Sequence, residues 1–537
     1  MRAVLSPENV ASAELCPPEK PKRNKFAFVC AILVSMTLIL LGYDIGVMSG
    51  AIIYIKRDLK ISDGQIEILV GILNIYSVVG ACFAGRTSDL IGRRYTIVLA
   101  GGIFFAGAIL MGFATNYAFL MFGRFVAGFG VGFAGMIAPV YTAEISPASS
   151  RGFLNSFPEV FVNAGILLGY VSNFAFSKLP LHLGWRFMLG VGAIPSILLS
   201  IGVFAMPESP RWLVMQGRLG DAKRVLYRTS DSNSEADLRL ADIKFVAGIP
   251  QDCNDDIVQV EKRNSHGKGV WKELLVRPTP AVRRVLVAAF GIHFFQQASG
   301  IDAVVLYSPR IFKTAGLNSD KQQLLATVAI GTVKTTSILV STFLLDRIGR
   351  RPLLLSSVGG MVISLLTLAM SLTVIDHRPD KKMIWALGLS LATAITYVAT
   401  FSTGLGPITW VYSSEIFPLR LRAQGMSMGL IVNRVTSGVI AMTFLSLTKA
   451  ITTGGAFFLF GGLAMAAWMF FYTFLPETKG KMLEEMDELF DNFRWRGSKT
   501  KEHMEVEDTR DSPRKTKYPV TERLVSGQVP QSASANA

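Results

Sequence analysis

Twelve apolar runs, near 26–49, 66–88, 96–115, 118–141, 154–177, 185–206, 285–308, 323–345, 353–375, 384–411, 424–447 and 456–475, constrain this chain more than any other feature of it. A run of about 20 residues, wound as a helix, is long enough to cross the hydrocarbon of a bilayer. Inside hydrocarbon every backbone polar group needs a partner within the structure, so separate runs of this kind are expected to be helices. Half of the residues are hydrophobic and 17% are charged, with a mean hydropathy of +0.40. That is too apolar for a soluble chain with ordinary cores. The expected fold is therefore an all-α membrane protein. Its expected parts are a tail at 1–25, a six-helix half at 26–206, a helical loop at 207–284, a second six-helix half at 285–475 and a tail at 476–537.

The polar segments fill in the rest of the plan. GDAKRVLYR at 220–228 and WKELLVR at 271–277 are amphipathic and are expected to form short surface helices, while residues after about 497 are polar and expected to be disordered. The first run leads into GYDIGVMSG with no small-residue cleavage site, so it is expected to stay as the first span. The net charge of +15 is spread in short clusters between apolar runs, which points to membrane orientation and away from nucleic acid. Arg93, Arg94, Arg347, Arg350, Arg351, Arg420 and Arg422 fall on the same side as Lys20, Lys22, Arg23 and Lys25. That side, with both termini, is expected to be cytoplasmic. Lys56, Arg57, Lys381 and Lys382 lie on the other side and make the bias moderate. The four cysteines lack metal or redox spacing, and the five histidines form no nucleophile–base constellation, so neither a cofactor nor an enzyme is expected. His293, inside a span, is read as packing.

The two halves repeat each other. DLIGRR at 89–94 returns as DRIGRR at 346–351, EISPASSRG at 144–152 as EIFPLRLRA at 415–423, and PESPRW at 207–212 as PETKG at 476–480. Each motif recurs after the same span of its half, which is the mark of duplication. Two six-helix halves facing one another can enclose a central site and rock around it.

These motifs resemble those of the sugar porters of the major facilitator superfamily over nearly all of 26–490. With QQASGIDAVVLYSPRIF at 296–312 and GYDIGVMSGAIIYI at 42–55, the chain resembles the plant polyol/monosaccharide transporter branch. The resemblance implies a proton-coupled carrier of linear polyols and monosaccharides. It also implies where cargo is held. Gln296 and Gln297 match the family's paired glutamines, whose amides both donate to and accept from hydroxyls. Asp302 stands where the family has an asparagine, Glu159 where it has a glutamine, and Trp410 and Asn433 match its sugar-contacting tryptophan and asparagine. A regular helix sets Gln297 and Asp302 about 140° apart, so both reach one cavity only if the helix bends, for which Gly300 is placed. Polar helix–helix packing is the alternative reading of this set. Asn155, Glu159 and Asn163 form one polar stripe.

Most of the departures from the family are charged. Leu306 replaces the first of two tyrosines and leaves Tyr307 alone at the external gate; Lys334 replaces an asparagine, and Arg434 follows Asn433. A base at mid-bilayer costs about 2.5–3.5 kcal/mol on insertion scales. Counting Asp44, Glu159 and Asp302 against Arg124, Lys334 and Arg434, acids and bases balance. Lys334 and Arg434 are expected to neutralise Glu159 and Asp302 around the cavity, or else to form a structural network that never meets cargo. Asp89–Arg93, Asp346–Arg350, Glu144–Arg151 and Glu415–Arg422 are expected to act as cytoplasmic latches of the outward-facing state. Asp44 and Arg124 lie at matching depths from the outer ends of the first and fourth spans and are expected to form the proton-coupling pair. An arginine neighbour favours an ionised carboxylate, and separation in a low dielectric favours the protonated one.

The expected function is proton-coupled symport of a polyol or monosaccharide by alternating access, with an uncoupled facilitator or a transporter-like sugar sensor as alternatives. The expected partners are that small molecule, the proton and membrane lipid. The chain is expected to work as a monomer in the plasma membrane, with the vacuolar membrane as the other candidate.

Overall fold

The computed structural model describes residues 24–147, 154, 156–251, 253, 255–258, 278–377, 383–417 and 421–479. Most of the two tails, Arg151, Asn155, Lys381, Lys382, Arg420 and the 271–277 segment fall outside this set, as do the side chains of Asp346 and Arg422.

The described chain is helical, apart from one isolated bridge between Arg218 and Ile257. The helices follow the apolar runs but overshoot them. The second crossing is Asp63–Ile91, 29 residues, about 44 Å at 1.5 Å per residue. Hydropathy reports only the stretch in hydrocarbon, whereas a helix continues until its end groups are satisfied. Here Ser62 Oγ accepts from Gln65 N at 3.3 Å while Ser62 N donates to Gln65 Oε1 at 2.9 Å. That reciprocal pair fixes the boundary.

Ten stretches are long and apolar enough to cross a membrane by length and composition among the described residues. One of them, Gln424–Phe474, is too long for a single crossing. Its helix breaks at Ile451 and Thr452, the latter at φ 67°, ψ 164°, and so makes two crossings. The seventh crossing is divided into Pro280–Ala298 and Ile301–Ala315, which brings the total to twelve. The first, sixth and tenth are also interrupted, the tenth at Gly404.

Lipid tails are as apolar as leucine, so helices in a membrane associate through close packing and polar contacts. Glycines supply the closeness here. A Cβ on Gly42 would stand 1.9 Å from the Val162 carbonyl oxygen, and one on Gly46 2.3 Å from that of Ile166. From the facing helix, a Cβ on Gly165 would lie 2.3 Å from the Ile39 oxygen. The first crossing and the fifth, Phe157–Phe176, therefore touch backbone to backbone. In the same half, Gly132 meets Ser77 and Gly80 meets Phe129 between the second and fourth crossings.

The polar loop after the sixth crossing forms helices Pro210–Met215, Leu219–Thr229 and Asn233–Ala247 around Leu213, Val214, Leu219 and Leu226. The expected helix at 220–228 lies within the second of these. The loop is fastened to the first half: Trp212 Nε1 donates to Asp89 O at 3.0 Å, Arg239 Nη2 to Glu144 O at 3.0 Å and Asn24 Nδ2 to Ser230 O at 2.8 Å. The face carrying this loop is called the loop side below, and the opposite face the far side.

Candidate transport site

Gly300 builds the centre of the site. At φ 86° it occupies the left-handed region open to glycine, and it ends one helix after Gln296 and Gln297 and starts another with Asp302 in its first turn. The bend that the spacing required is therefore present. Tyr397 OH steadies it by donating to Ser299 O at 2.9 Å.

Around the break the amides interlock. Asn433 Nδ2 donates to Gln296 Oε1 at 2.6 Å, Gln297 Nε2 to Asn433 Oδ1 at 3.2 Å and Gln296 Nε2 to Gly406 O at 2.9 Å. Gln297 Oε1 is left buried with no partner. An orphaned acceptor of this kind costs about 1–3 kcal/mol, which a hydroxyl from a bound molecule can recover. Trp410 is partly exposed beside this triad. The ring of His293 packs edge-on against it, 5.1 Å between centroids, and His293 Nε2 lies 3.0 Å from Ser413 Oγ. Packing is thus the observed role of His293.

The four charged departures converge without pairing. Each of Glu159 and Asp302 lies within electrostatic reach of both Lys334 and Arg434. Yet none of the four joins an ion pair within 4.0 Å among the described residues. Glu159 accepts from Asn163 Nδ2, at 3.3 Å on Oε1 and 2.7 Å on its carbonyl. Asp302 Oδ2 accepts from Ser437 Oγ. The expected count of three acids also misses one, because Glu67 is 4% exposed inside the bundle. Tyr307 is turned from the cavity, its hydroxyl donating to Ala441 O at 2.7 Å and its ring stacked on Phe444. Leu306 is buried.

On the far side the halves are sewn together along the second and eleventh crossings. Asp63 accepts from Lys449 Nζ at 2.6 Å, Arg310 Nη2 at 2.7 Å and Lys56 Nζ at 2.6 Å. One turn deeper, Glu67 accepts from Ser446 N and Oγ, both at 2.6 Å. Gly71 then faces Gly438 and Met442, and Asn74 Nδ2 donates to Ser437 Oγ at 2.8 Å. The positions 63, 67, 71 and 74 form one helix face. Arg57 and Asp320 add a bidentate pair at 2.6 and 3.2 Å. Beyond Asn74 Arg434 faces Ser77, Val78 and Val131 across a void, and toward the loop side Ser427 Oγ donates to Met136 Sδ at 3.6 Å. None of this was visible in the sequence, where Lys56 and Arg57 only weakened the orientation argument.

On the loop side the duplicated motifs build the same device twice. Arg93 holds Asp89 at 3.1 Å and, through Nε, Glu144 at 3.1 Å; Arg350 holds Glu415 at 2.9 Å. Ser209 Oγ donates to Glu144, and Thr478 Oγ1 to Glu415 at 2.7 Å. Two residues that the sequence reading passed over complete it. Glu208 accepts from the backbone N–H groups of Arg93 and Arg94 at 2.9 and 3.2 Å, and Glu477 from those of Arg350 and Arg351 at 3.1 and 2.9 Å. Each carboxylate caps a helix that begins just after a left-handed glycine, Gly92 or Gly349. Burial pushes the Glu208 carboxyl up from its ordinary range, and the N–H groups of Ser209, Arg94 and Arg93 pull it back. Their signal was present, in the acid shared by PESPRW and PETKG. The described contacts, Arg93 with Asp89 and Glu144 in one half and Arg350 with Glu415 in the other, join elements within a half, while Arg151 and the side chains of Asp346 and Arg422 lie outside the described residues.

Asp44 and Arg124 meet. Arg124 Nη1 lies 2.8 and 2.6 Å from the two carboxylate oxygens, with the side chains 2% and 1% exposed. The guanidinium also donates to Leu69 O at 3.2 Å and Val70 O at 3.4 Å. It thus grips the back of the helix whose front face closes the far side.

The family model for "Sugar (and other) transporter" matches residues 30–490. The chain belongs to that family. The transporter is 75% identical over 497 residues to Polyol transporter 5 of Arabidopsis thaliana, covering 93% of this chain and 92% of the relative. Among solved structures, the proton:xylose symporter XylE bound to 6-bromo-6-deoxy-D-glucose matches with a TM-score of 0.71 at 26% identity, covering 87% of this chain and 99% of that one. The inward-open xylose transporter XylE of E. coli matches with a TM-score of 0.68 at 25% identity, covering 86% and 100%. The transporter therefore has the major facilitator fold, and it sits in the plant polyol branch of the sugar porters.

Proposed function

We propose that this transporter is a proton-coupled symporter of linear polyols and monosaccharides. The observation that carries the reading is the Asp44–Arg124 pair, a desolvated carboxylate whose partner is bonded to the helix that opens and closes the far side. A carboxylate parted from its guanidinium in a low dielectric favours the protonated form, so a rocking helix that draws Arg124 away makes Asp44 a proton acceptor. The names of its relatives, a polyol transporter and a proton:xylose symporter, support the same reading.

The cargo site in this reading is the amide triad of Gln296, Gln297 and Asn433, with Trp410 as an apolar wall. Glu159, Asp302, Lys334 and Arg434 supply charges that hydroxyls can bridge. Nothing in this set requires a closed ring, so a flexible chain of hydroxyls suits it. The loop side is the cytoplasmic one, since it gathers Arg93, Arg94, Arg347, Arg350 and Arg351. The closed far seam then rules out an outward-open conformation, with Tyr307 part of the outer closure. A single chain encloses the site and works as a monomer in the plasma membrane.

Uptake of labelled sorbitol, xylitol and glucose by yeast lacking their own carriers tests the reading. At a potential of about −100 mV, one proton with one unit of pH difference supports accumulation of roughly several hundred-fold. Uptake by intact cells that collapses with a protonophore, and linear polyols that compete with glucose, are expected. Equilibration that ignores the protonophore would reduce the transporter to a facilitator.

The seam carries its own expectation. Asp63→Asn removes the charge that holds three cations together. It is expected to raise labelling of an outer-vestibule cysteine by about fivefold, the worth of about 1 kcal/mol in a two-state balance. Labelling that stays at the parent rate would show that Asp63 takes no part in closure.

A further inference from the structure

Asp302 has two oxygens with different surroundings. Oδ2 accepts from Ser437 Oγ, and Ser437 Oγ accepts in turn from Asn74 Nδ2 at 2.8 Å. Oδ1 has no protein donor among the described residues, and it is not among the buried atoms that lack a partner. It is therefore open to the cavity that holds Glu159, Lys334 and Arg434. Ser437 is 0% exposed and Asn74 4%, so the chain of hydrogen bonds runs through dry protein from one half of the molecule to the other.

The direction of this chain is fixed by its ends. An ionised carboxylate only accepts, so Ser437 must donate to it and can then only accept from Asn74, whose amide donates. Asn74 Oδ1 is left buried without a partner. The seam thus closes against an unsatisfied atom at this level, and its closure here depends on the Ser437 hydroxyl being turned the right way. Asp302 turns it. The carboxylate sits in the first turn after the Gly300 break, where the backbone can re-aim with what the cavity holds.

We propose that Asn74 and Ser437 are positioning residues through which cargo on Asp302 closes the outer seam. The proposal rests on the transport reading above. A polyol hydroxyl donating to Oδ1 fixes the carboxylate, the carboxylate orients the Ser437 hydroxyl, and the oriented hydroxyl receives the Asn74 amide from the opposite half. Without a donor on Oδ1 the carboxylate is held from one side only, and the Ser437 hydroxyl that it orients is held less firmly. Cargo then strengthens closure, which favours carriage of the proton together with its passenger.

The test uses the full-length transporter with its four native cysteines replaced and Met442→Cys as the reporter, since Met442 packs on Gly71 inside the seam. A membrane-impermeant thiol reagent is applied from outside with and without sorbitol. Sorbitol is expected to slow labelling by about fivefold to tenfold in this parent, the effect of one well-made hydrogen bond. In Ser437→Ala and Asn74→Ala the sorbitol effect is expected to vanish, and kcat to fall by about the same factor, while sorbitol binding changes by less than about twofold. Ser437→Thr, which keeps the hydroxyl, is expected to restore both. Protection that persists in Ser437→Ala and Asn74→Ala overturns the relay, as does a Ser437→Thr variant no better than Ser437→Ala. A parent with neither sorbitol uptake nor sorbitol protection overturns the transport reading itself.

Discussion

Asp44→Asn is expected to abolish accumulation against a gradient, lowering the ratio of inside to outside substrate from roughly several hundred to about 1, while exchange of substrate across the membrane continues. The amide keeps the shape of the carboxylic acid and cannot release a proton, so the carrier can rock without coupling. The variant also leaves Arg124 buried without its counter-charge, a loss of about 3–5 kcal/mol when one partner of a buried pair is removed. Persistent exchange shows that the variant has folded. The double replacement Asp44→Asn with Arg124→Gln, which removes both charges, is expected to be as uncoupled and more stable. Protonophore-sensitive accumulation by Asp44→Asn would move coupling to another carboxylate inside the bundle, with Glu159, Asp302 and Glu67 the candidates.

Glu159→Gln and Asp302→Asn restore the residues usual in the wider family and are expected to raise KM for linear polyols by about 10- to 100-fold each. That is the range expected when a hydrogen bond to a charged group, worth about 1.5–3 kcal/mol, is lost. The structure favours this outcome over a purely structural network, because neither acid is consumed by an ion pair. Lys334→Met separates the two cases further. If the bases serve cargo, KM rises with little change in protein yield, whereas a base that only balances charge shows the reverse. Unchanged KM in all three variants would place the charges outside the cargo site.

The parts of this molecule written in single segments were legible, and the parts written between segments were not. Counting residues from span ends brought Asp44 and Arg124 to one depth, and they meet. The angle between Gln297 and Asp302 on a regular helix required a break, and Gly300 supplies it. By contrast, Glu67 lies in the 66–88 run, and no local pattern reveals that Ser446, far along the chain, offers it two donors. Asn74 and Ser437 carry no local sign of their contact for the same reason. Glu208 and Glu477 lay in motifs that were recognised as duplicated. Their chemistry depends on the backbone N–H groups of helices that start more than a hundred residues earlier, which repetition alone does not show. Lys334 and Arg434 stand out in the sequence as anomalies in hydrocarbon, and neutralisation of Glu159 and Asp302 is expected from charge balance, but the separations could come only from how the helices are rotated.

The backbone contacts between the first and fifth crossings leave no clearance, since even a methyl group at Gly42 would fall within 1.9 Å of Val162 O. The first half therefore behaves as a stiff jaw, and the length of a passenger is felt at the rim instead of being absorbed by this wall. A polyol one carbon too long would still find its hydroxyl partners, yet it would prop the jaws apart and hold Asp63 away from Arg310 and Lys449. Discrimination by chain length should then appear as slower turnover at almost unchanged affinity, so that an oversized sugar alcohol acts on this carrier as an inhibitor before it is ever a cargo.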